Sequence, residues 1–593
     1  MSGAAADDML AYYLAELSHL REAGAEFAHD YPKVARRLEL GRDECPDPHV
    51  ERLIESFAFL TGRIQRRLDD EFPEVASALL GVLYPHLTAP VPSATVARFE
   101  VDPAQGKLST GYPVARHTPL FAQTPEGLLC RFRTCYPVTL WPLRVREAVL
   151  ESSDRYRAPP RTAAVLRIRL ENTADEPCRP ERLRFYLNGQ LRSAGALYEL
   201  LAAHVVGVAA RPVDGEPVDL GADALRPVGF APDEEVLPYP PHAHPGYRLV
   251  QEYFAFPHKY LFADVAGLDR IPPARAWELL VFLDARPPDW LAVGRDTFQL
   301  GCTPVVNLFR RTTEPLRLDH RRSEYRLVPD VRRERTTEVH TVLRVSCTSD
   351  AAADEGVFDP FYSLSHRRTA RAFWHARRVP TGRRDVQGSD TLLSFVDLDS
   401  NPARPRERTV WAHTLCTNRR LAEQLPPGHA LQIEEAAPLH RITVLNQPTP
   451  QIDPPLGGAA QWRLVSALSL GHLSLTGPGA LDALREILRL YGAFSVAGGD
   501  AQVDGLREMA VRRVVRRAGE GPWRGLVRGT EVTLTFDEEM YPGTSALLLG
   551  AVLARFLALY ASINSFTETV ARSRQRPGEW KRWPPMAGEE TLL

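Results

Sequence analysis

The spacing most suggestive of chemistry lies in an acidic segment in the second half of the chain. Asp397, Asp399 and Asn401 repeat oxygen ligands at the first, third and fifth positions of a calcium-binding loop. Such a loop needs glycine at its sixth position and a bidentate glutamate at its twelfth, where this sequence has Pro402 and Arg408. We therefore predict a turn in which the acidic side chains bond to nearby backbone groups, and no bound calcium.

Two histidine clusters offer the residue types of a metal site and of a catalytic dyad. His242 and His244 place two imidazoles in a proline-rich segment without a third ligand nearby, whereas structural zinc needs four convergent ligands. Asp319 and His320 are adjacent, and neighbouring residues of a strand point to opposite faces. We interpret both clusters as loops, and we predict no metal and no cofactor.

Motifs for nucleotide binding and hydrolysis are absent from the sequence. It contains no G-x-x-x-x-G-K-[ST] phosphate loop, no G-x-G-x-x-G, no G-x-S-x-G and no H-E-x-x-H. These absences argue against an enzyme. A β-sandwich hydrolase remains an alternative, because a carboxylate pair can be recruited from different strands. A glycan-binding protein is the other alternative.

Composition describes an ordinary globular chain without an electrostatic footprint for nucleic acid. The 593 residues exceed the roughly 250–300 that one core supports, so two to four domains are expected. The 72 basic and 74 acidic residues give a formal net charge of −2, which predicts no nucleic-acid partner. Short basic pairs are interpreted as solvated faces or inter-subunit ion pairs, at Arg332–Arg333, Arg367–Arg368, Arg383–Arg384, Arg419–Arg420, Arg512–Arg513 and Arg516–Arg517.

The sequence favours a cytoplasmic protein. Its seven cysteines form no C-x-x-C pair, which is typical of a reducing compartment, and its N-terminus lacks the features of a secretory signal. Residues Ala546–Ile563 are apolar apart from Arg555. A charge at the centre of a membrane span costs roughly 2.5–3.5 kcal/mol. We therefore predict a buried core or interface helix here, capped by Thr544 or Ser545.

Two apolar stripes stand out in the N-terminal region, which is predicted to be mostly helical. Pro46 and Pro48 suit the first turn of a helix, where a backbone N–H has no partner. Apolar residues then recur at three- and four-residue steps. The pattern leaves open whether they pack within the chain or in a helical bundle with partner chains. The predicted partner-interface residues are Leu10, Tyr13, Leu17, Leu20, Leu53, Phe57, Leu60 and Ile64.

The pattern of elements predicts an α+β multidomain fold. Alternating runs such as Ala164–Leu170 and Val339–Val345 are typical of half-buried strands, and Val532–Phe536 is a strand before the apolar helix. Asp359–Arg378 and Asp482–Tyr491 are predicted as helices. Prolines between Arg211 and Gly246 predict a loop or linker. The predicted regions are an N-terminal helical region (1–92), two β-rich, sandwich-like domains (93–250 and 251–410), an α+β C-terminal domain (411–570) and a mobile tail (571–593).

Several blocks of sequence resemble one family. Residues 44–99, with two proline-punctuated helices, strongly resemble the N-terminal region of the type VI secretion baseplate wedge subunit TssF, also called VasA or ImpG. The sequence departs from the family pattern at Gly471 and Arg419–Arg420. Further blocks match in order, at 251–262 (Q-E-Y-F-A-F-P-H-K-Y-L-F), 298–330 (opening F-Q-L-G-C-T-P-V-V-N-L-F), 411–421 (W-A-H-T-L-C-T-N-R-R-L), 462–475, 528–538 and 559–567.

The resemblance implies a structural, non-enzymatic role. In that family two copies of TssF associate with one TssG, work with TssE and TssK, and surround the VgrG spike. The assembly is the platform on which tube and sheath polymerise, so contact with the sheath is indirect. The expected location is the cytoplasmic side of the bacterial inner membrane, with membrane contact only through the membrane-anchored secretion complex.

Overall fold

The structure of the chain is a computed structural model. It describes most of the sequence, with several stretches left out. The residues that the structure describes are 10, 12–21, 27, 33, 48–71, 80–81, 84–105, 108–213, 215–239, 245–319, 321–348, 356–361, 372–383, 385–397, 408–435, 437–456, 479–492, 495, 498–518, 525–558, 561 and 565–587.

The described part of the chain contains six α-helices of six residues or more with assigned bounds, in addition to the N-terminal helical residues. Residues 12–21 are helical, and the first turn of a helix predicted at Pro48 is confirmed by the helix Pro48–Glu71. The helices are α1 (Pro48–Glu71), α2 (Leu191–Ala203), α3 (Pro245–Ala255), α4 (Ala480–Gly492), α5 (Gly499–Asp504) and α6 (Ala546–Ala558). Short 3-10 turns span Pro85–Leu87, Ser153–Arg155, Ala222–Ala224, Pro257–Tyr260, Leu268–Arg270, Val331–Thr336, Arg419–Gln424 and Glu538–Met540.

A closed six-stranded barrel joins distant parts of the sequence. Alternate residues such as Phe99, Phe132 and Ile442 point inward and fill its core. A small ribbon of Tyr112–Val114 and Val138–Leu140 lies beside it. Around the wall the strands are Ala94–Val101, Cys302–Val306, Leu129–Thr134, Pro119–Gln123, Ala430–Ile433 and Leu439–Val444. The barrel therefore takes strands from three of the predicted regions, and the boundaries at 250 and 410 run through one structural unit.

Two antiparallel sheets and four helices enclose the main hydrophobic core. Leu166, Ile168 and Leu170 show the expected alternation and face this core, which also includes side chains of α2, α3, α4 and α6. The core sheet, in spatial order, is Val218–Asp219, Val205–Pro212, Ala276–Leu283, Ala164–Asn172 and Leu143–Ser152. The short sheet is Leu225–Pro227, Phe262–Ala266, Arg182–Leu187 and Phe298–Gln299.

An eight-stranded sheet, which we call the long sheet, has its own core around Phe358 and Leu393. The helix predicted over Asp359–Arg378 is wrong in the described part, because Ala372–Pro380 forms nine antiparallel pairs with its neighbour and aromatic Phe373 and Trp374 suit a pleated surface. In order the strands are Phe309–Thr312, Arg408–Thr417, Glu338–Cys347, Gly356–Pro360, Ala372–Pro380, Ser389–Asp397 and Tyr325–Arg326, with Leu316–Leu318 beside Arg408–Thr417.

The C-terminal sheet contains a parallel strand pair joined by α6. A parallel pair needs a crossover, and α6 supplies it. The helix is buried on nearly all sides, so the predicted apolar helix is a core helix, and Arg555 lies over the Phe230 ring at 3.7 Å. None of the described helices is both long and apolar enough to cross a bilayer. The strands are Leu506–Ala518, Gly525–Phe536, Phe566–Ser573, Lys581–Arg582 and Met586–Ala587.

Two further expectations differ from the structure. The tail predicted to be mobile is ordered through residue 587, because its short strands pair with Phe566–Ser573 and Trp583 is buried. The proline-rich interval Arg211–Gly246 contains two short strands and the start of α3, since a two- or three-residue strand fits between prolines and Pro245 suits a first helical turn. The helix predicted over Asp482–Tyr491 is confirmed.

Two buried histidines predict how stability depends on pH. Burial lowers the pKa of His86 and of His340 to about 3. Both imidazoles therefore stay neutral in the folded chain while the unfolded chain takes up protons below about pH 6.5. Stability should be unaffected above pH 6.5 and fall by about 1.4 kcal/mol per histidine per pH unit below it, down to about pH 3.

The measurement is the thermal midpoint between pH 7.5 and 5. His86→Gln and His340→Gln should each flatten the decline, whatever their effect at pH 7.5. The exposed His440→Gln is the control and should leave the slope unchanged. Equal slopes in all four proteins would show that these buried imidazoles do not set the acid sensitivity.

Candidate interaction surfaces

Helix α1 carries an apolar face that is open to solvent. Leu53, Phe57, Leu60 and Ile64 are 53–68% exposed. At 100° per residue these four side chains fall within a narrow sector of the helix, so they form one stripe. Large apolar side chains exposed together mark an interaction surface more often than chance exposure does. We call these four residues the α1 stripe.

The opposite face of α1 packs against the N-terminal helical residues. Ala58 is fully buried, and a Cβ added at Gly62 would lie 3.2 Å from the backbone of Tyr12. The absence of a side chain at Gly62 therefore allows the two helices to cross closely. Arg21 and Glu51 add an ion pair of 2.5 Å between them.

The predicted partner-interface residues thus divide into two groups. Leu17 is buried and belongs to the packing between the helices, with Tyr13 and Leu20 half-buried. Leu10 is 51% exposed, like the α1 stripe. The prediction missed Leu14, also exposed, although its position four residues after Leu10 places both on one face.

The sequence block at 251–262 contributes a buried ion pair. Glu252 and Lys259 both have fully buried side chains and are in direct contact. The Glu252 carboxylate also accepts hydrogen bonds from the backbone N–H groups of Val236 and Leu237, at 2.7 and 2.8 Å. Lys259 donates a second hydrogen bond to the Glu234 carbonyl, and its burial lowers its pKa. These charges therefore hold the proline-rich segment against α3.

A second buried carboxylate holds the start of the same segment. Glu234 Oε2 accepts hydrogen bonds from the N–H groups of Gly229, Phe230 and Ala231, at 2.6, 3.0 and 3.2 Å. Its other oxygen accepts from Arg184 at 3.0 Å. Gly229 has φ +104°, and a Cβ there would lie 2.7 Å from the Lys259 carbonyl oxygen. The turn therefore needs glycine at this position.

Two asparagines join the barrel to the long sheet. Asn307 Nδ2 donates to Asn418 Oδ1 at 2.9 Å, and the Asn418 backbone N–H donates to Asn307 Oδ1 at 2.6 Å. Both side chains also bond the backbone of Arg131 in the barrel wall. The asparagines in the blocks at 298–330 and 411–421 therefore have a structural role.

The residue after Asn418 is also structural. Arg419 has φ +52° and is buried beside Glu338, 3.6 Å away. Glu338 is almost fully buried and accepts hydrogen bonds from the Ser389 N–H and from Gln451, both at 2.8 Å. Arg378 lies 3.7 Å from the same carboxylate. Arginine here supplies positive charge to a buried acid.

The best-placed carboxylate pair is not arranged for acid–base catalysis. Glu531 and Glu568 are register partners on adjacent parallel strands. Arg582 bridges both, at 2.8 and 3.2 Å, and Arg512 and Arg516 bind the outer oxygens. Hydrogen bonds from Arg582, with Arg512, lower the pKa of Glu531, whereas a general acid needs a raised pKa.

Metal-binding and thiol side chains are further candidates for chemistry among the described residues. No cluster of metal-binding side chains is present in the described part of the chain. The described cysteines are all buried, and burial raises the pKa of Cys178 to about 11 and of Cys416 to about 12, so their thiols stay protonated. His242, His244, His320 and most of the segment 397–408 lie outside the described residues.

Together these features define a class of protein. Its buried charges are fixed by ion pairs and backbone hydrogen bonds, and its apolar helix stripe faces solvent. Because an exposed apolar patch marks an interaction surface, these features indicate a protein that binds a partner through α1.

Comparison with known proteins gives the particular family. The sequence model described as type VI secretion system, TssF, matches residues 5–590. A curated relative, type VI secretion system component TssF1 of Pseudomonas aeruginosa, is 39% identical, with 99% of each chain covered. The chain therefore belongs to the TssF family of the type VI secretion system.

Solved structures agree on the fold. A chain of the TssK-TssF-TssG baseplate subcomplex, seen by cryo-electron microscopy, has a TM-score of 0.73 and 25% identity, covering 92% of this chain and 99% of that chain. A chain of the baseplate complex of the type VI secretion system has a TM-score of 0.57 and 24% identity, covering 97% and 98%. Its likeness supports the mixed α/β, multidomain fold.

The Glu252–Lys259 pair predicts a large loss of stability when one partner is removed. Lys259→Met removes the direct partner of the buried Glu252 carboxylate and leaves it only Arg248, 3.8 Å away, and breaking a buried pair costs about 3–5 kcal/mol. The double variant Glu252→Gln/Lys259→Met removes both charges and should recover part of the loss. Urea denaturation midpoints measure this. Equal loss in the single and double variants would contradict the assignment.

The two groups of N-terminal residues predict opposite results for one substitution type. Phe57→Asp changes an exposed position, so the free energy of unfolding should change by no more than about 0.5 kcal/mol. Leu17→Asp places a charge in a buried contact and should unpack the two helices. Circular dichroism, with hydrogen exchange of residues 12–21 and 48–71, measures both. A similar loss of protection in Phe57→Asp would show that the α1 stripe packs within the chain.

Proposed function

We propose that this chain is a structural wedge subunit of the type VI secretion baseplate. Two copies associate with one TssG and work with TssE and TssK around the VgrG spike. The assembly provides the platform for tube and sheath polymerisation, so the chain meets the sheath only indirectly. Membership of the TssF family and the likeness to the TssK-TssF-TssG subcomplex support this role.

The exposed α1 stripe is the observation that carries the assembly role. Large apolar side chains gain roughly 1.5–3 kcal/mol each on full burial. Since these four are more than half exposed, we expect roughly 1–2 kcal/mol from each on docking, or about 4–8 kcal/mol together. The loss of rigid-body freedom on association costs roughly 4–15 kcal/mol. The stripe can therefore anchor a helical bundle with TssG or a second copy, and further contacts must complete it.

The proposed role is not enzymatic. The register-paired carboxylates Glu531 and Glu568 are bound by arginines, and burial keeps the described thiols protonated. We place the protein in the cytoplasm, at the inner face of the inner membrane. There it meets the membrane only through the membrane-anchored secretion complex. We expect neither a cofactor nor nucleic acid as a ligand.

Light scattering on size-exclusion peaks tests the wedge role. The chain should form a heteromer with co-expressed TssG that contains two copies of this chain per TssG. Phe57→Asp combined with Leu60→Asp should lower the yield of heteromer more than tenfold, because two charges enter the anchoring face. Val515→Asp, at a similarly exposed aliphatic residue of the C-terminal sheet, is the matched control and should assemble normally.

Two outcomes would contradict the proposal. A monomer that ignores TssG would remove the wedge role. A heteromer that forms normally with the double aspartate variant would leave the family role in place but would remove the α1 stripe as its anchor.

A further inference from the structure

A cationic groove follows one edge of the long sheet, far along the sequence from the α1 stripe. It consists of two depressions of about 560 and 660 Å³ that meet at Arg311. The strand Phe309–Thr312 forms this edge. We call it the edge groove, and its lining residues are Arg131, Arg310, Arg311, Thr312, Glu314, Asp330, Val331, Arg332, Arg333, Leu343, Arg344, His413 and Thr414.

The charge of the edge groove is strongly unbalanced. Besides Arg344, five arginines (Arg131, Arg310, Arg311, Arg332 and Arg333) line it with two carboxylates, Glu314 and Asp330. Asp330 is bound by Arg311 at 2.6 Å. Within the described part of the chain, no carboxylate pairs with the guanidinium groups of Arg310, Arg332 or Arg333. The groove therefore holds positive charge that the described residues do not neutralise.

Some arginines on other surfaces of the molecule are neutralised by carboxylates of the same chain. Arg512 and Arg516 bind Glu531 and Glu568 on the C-terminal sheet. Arg377 binds Glu324 through two hydrogen bonds of 2.8 and 2.6 Å. At these two places the arginines are paired with carboxylates, so a high arginine content alone does not leave open positive charge. In the edge groove, by contrast, Arg310, Arg332 and Arg333 have no such partner among the described residues.

A β-bulge places an aliphatic side chain in the same groove. In the pairing with Arg408–Thr417, Val342 faces Thr414 and Arg344 faces His413, so Leu343 is the extra residue. Its side chain is 47% exposed, and Val331 in the second depression is 62% exposed. Bulges re-aim side chains at sheet edges and next to functional sites. Each depression thus combines arginines with an exposed aliphatic group.

We propose that the edge groove binds an acidic segment of a protein partner, with carboxylates facing the arginines and an aliphatic side chain against Leu343 and Val331. Guanidinium groups bind carboxylates in planar, charge-assisted pairs. A phosphate backbone would use the arginines but would place charged oxygens against the two aliphatic groups. This combination favours a peptide over nucleic acid or a lipid headgroup.

The probe for this proposal is a short fluorescent peptide of alternating glutamate and leucine, measured by anisotropy with the full-length chain. We expect saturable binding that weakens about tenfold or more in Arg310→Glu/Arg332→Glu. Leu343→Ser should weaken binding of this peptide and leave a glutamate–serine peptide unaffected. Because no other subunit is present, a failure here leaves the wedge role untouched.

Arg513→Glu/Arg517→Glu is the matched control. It reverses the same number of exposed charges on the C-terminal sheet and should bind the peptide normally. Equal loss in the two double variants, or no binding of the peptide, would overturn the proposal. Single-stranded DNA or phosphatidylglycerol vesicles that bind more tightly than the peptide, and lose binding in Arg310→Glu/Arg332→Glu, would also overturn it and assign the groove to phosphate ligands.

Discussion

The buried pair of Glu252 and Lys259 is the interaction on which the centre of the molecule depends. A charge without a partner in this core would be strongly destabilising, so each residue requires the other. Through the same two side chains the segment before α3 is held by backbone hydrogen bonds, and the Lys259 carbonyl accepts a hydrogen bond from Tyr136, which follows the barrel strand Leu129–Thr134. One ion pair therefore fixes the mutual position of a loop, a helix and the barrel.

Buried polar contacts also connect the barrel to the long sheet. Asn307 and Asn418 fix the barrel to the long sheet, and Glu338 with Arg419 fixes the end of that sheet. Such contacts have strict geometry, whereas apolar packing tolerates sliding. A baseplate component must hold its interfaces at defined positions to fit its neighbours. We infer that the buried polar network supplies this rigidity, while the α1 stripe and the edge groove remain open for partners.

Features that follow from a local hydrophobic pattern could be predicted from the sequence, whereas features set by contacts between distant segments could not. Ala164–Leu170 and the apolar helix after Val532–Phe536 were predictable, because hydrophobic alternation and a continuous apolar run follow directly from burial. The helix predicted over Asp359–Arg378 is wrong in its described part, since the strand Ala372–Pro380 is fixed by pairing with a partner strand. The contiguous domain boundaries missed the barrel, whose strands are distant in sequence. The edge groove was also beyond sequence reasoning, because its arginines come from four separate segments of the chain.

The sequence by itself determined the family, the helix and strand periodicities, the absence of familiar catalytic motifs and the apolar character of the N-terminal helices. These properties are local, or they depend on the order of motifs along the amino-acid sequence. The folded structure alone shows which charges are buried and neutralised, which arginines have no carboxylate partner among the described residues, and that Leu17 packs inside while Phe57 faces solvent. Burial and charge compensation depend on tertiary contacts between residues that are distant in the sequence, so they cannot be read from local patterns.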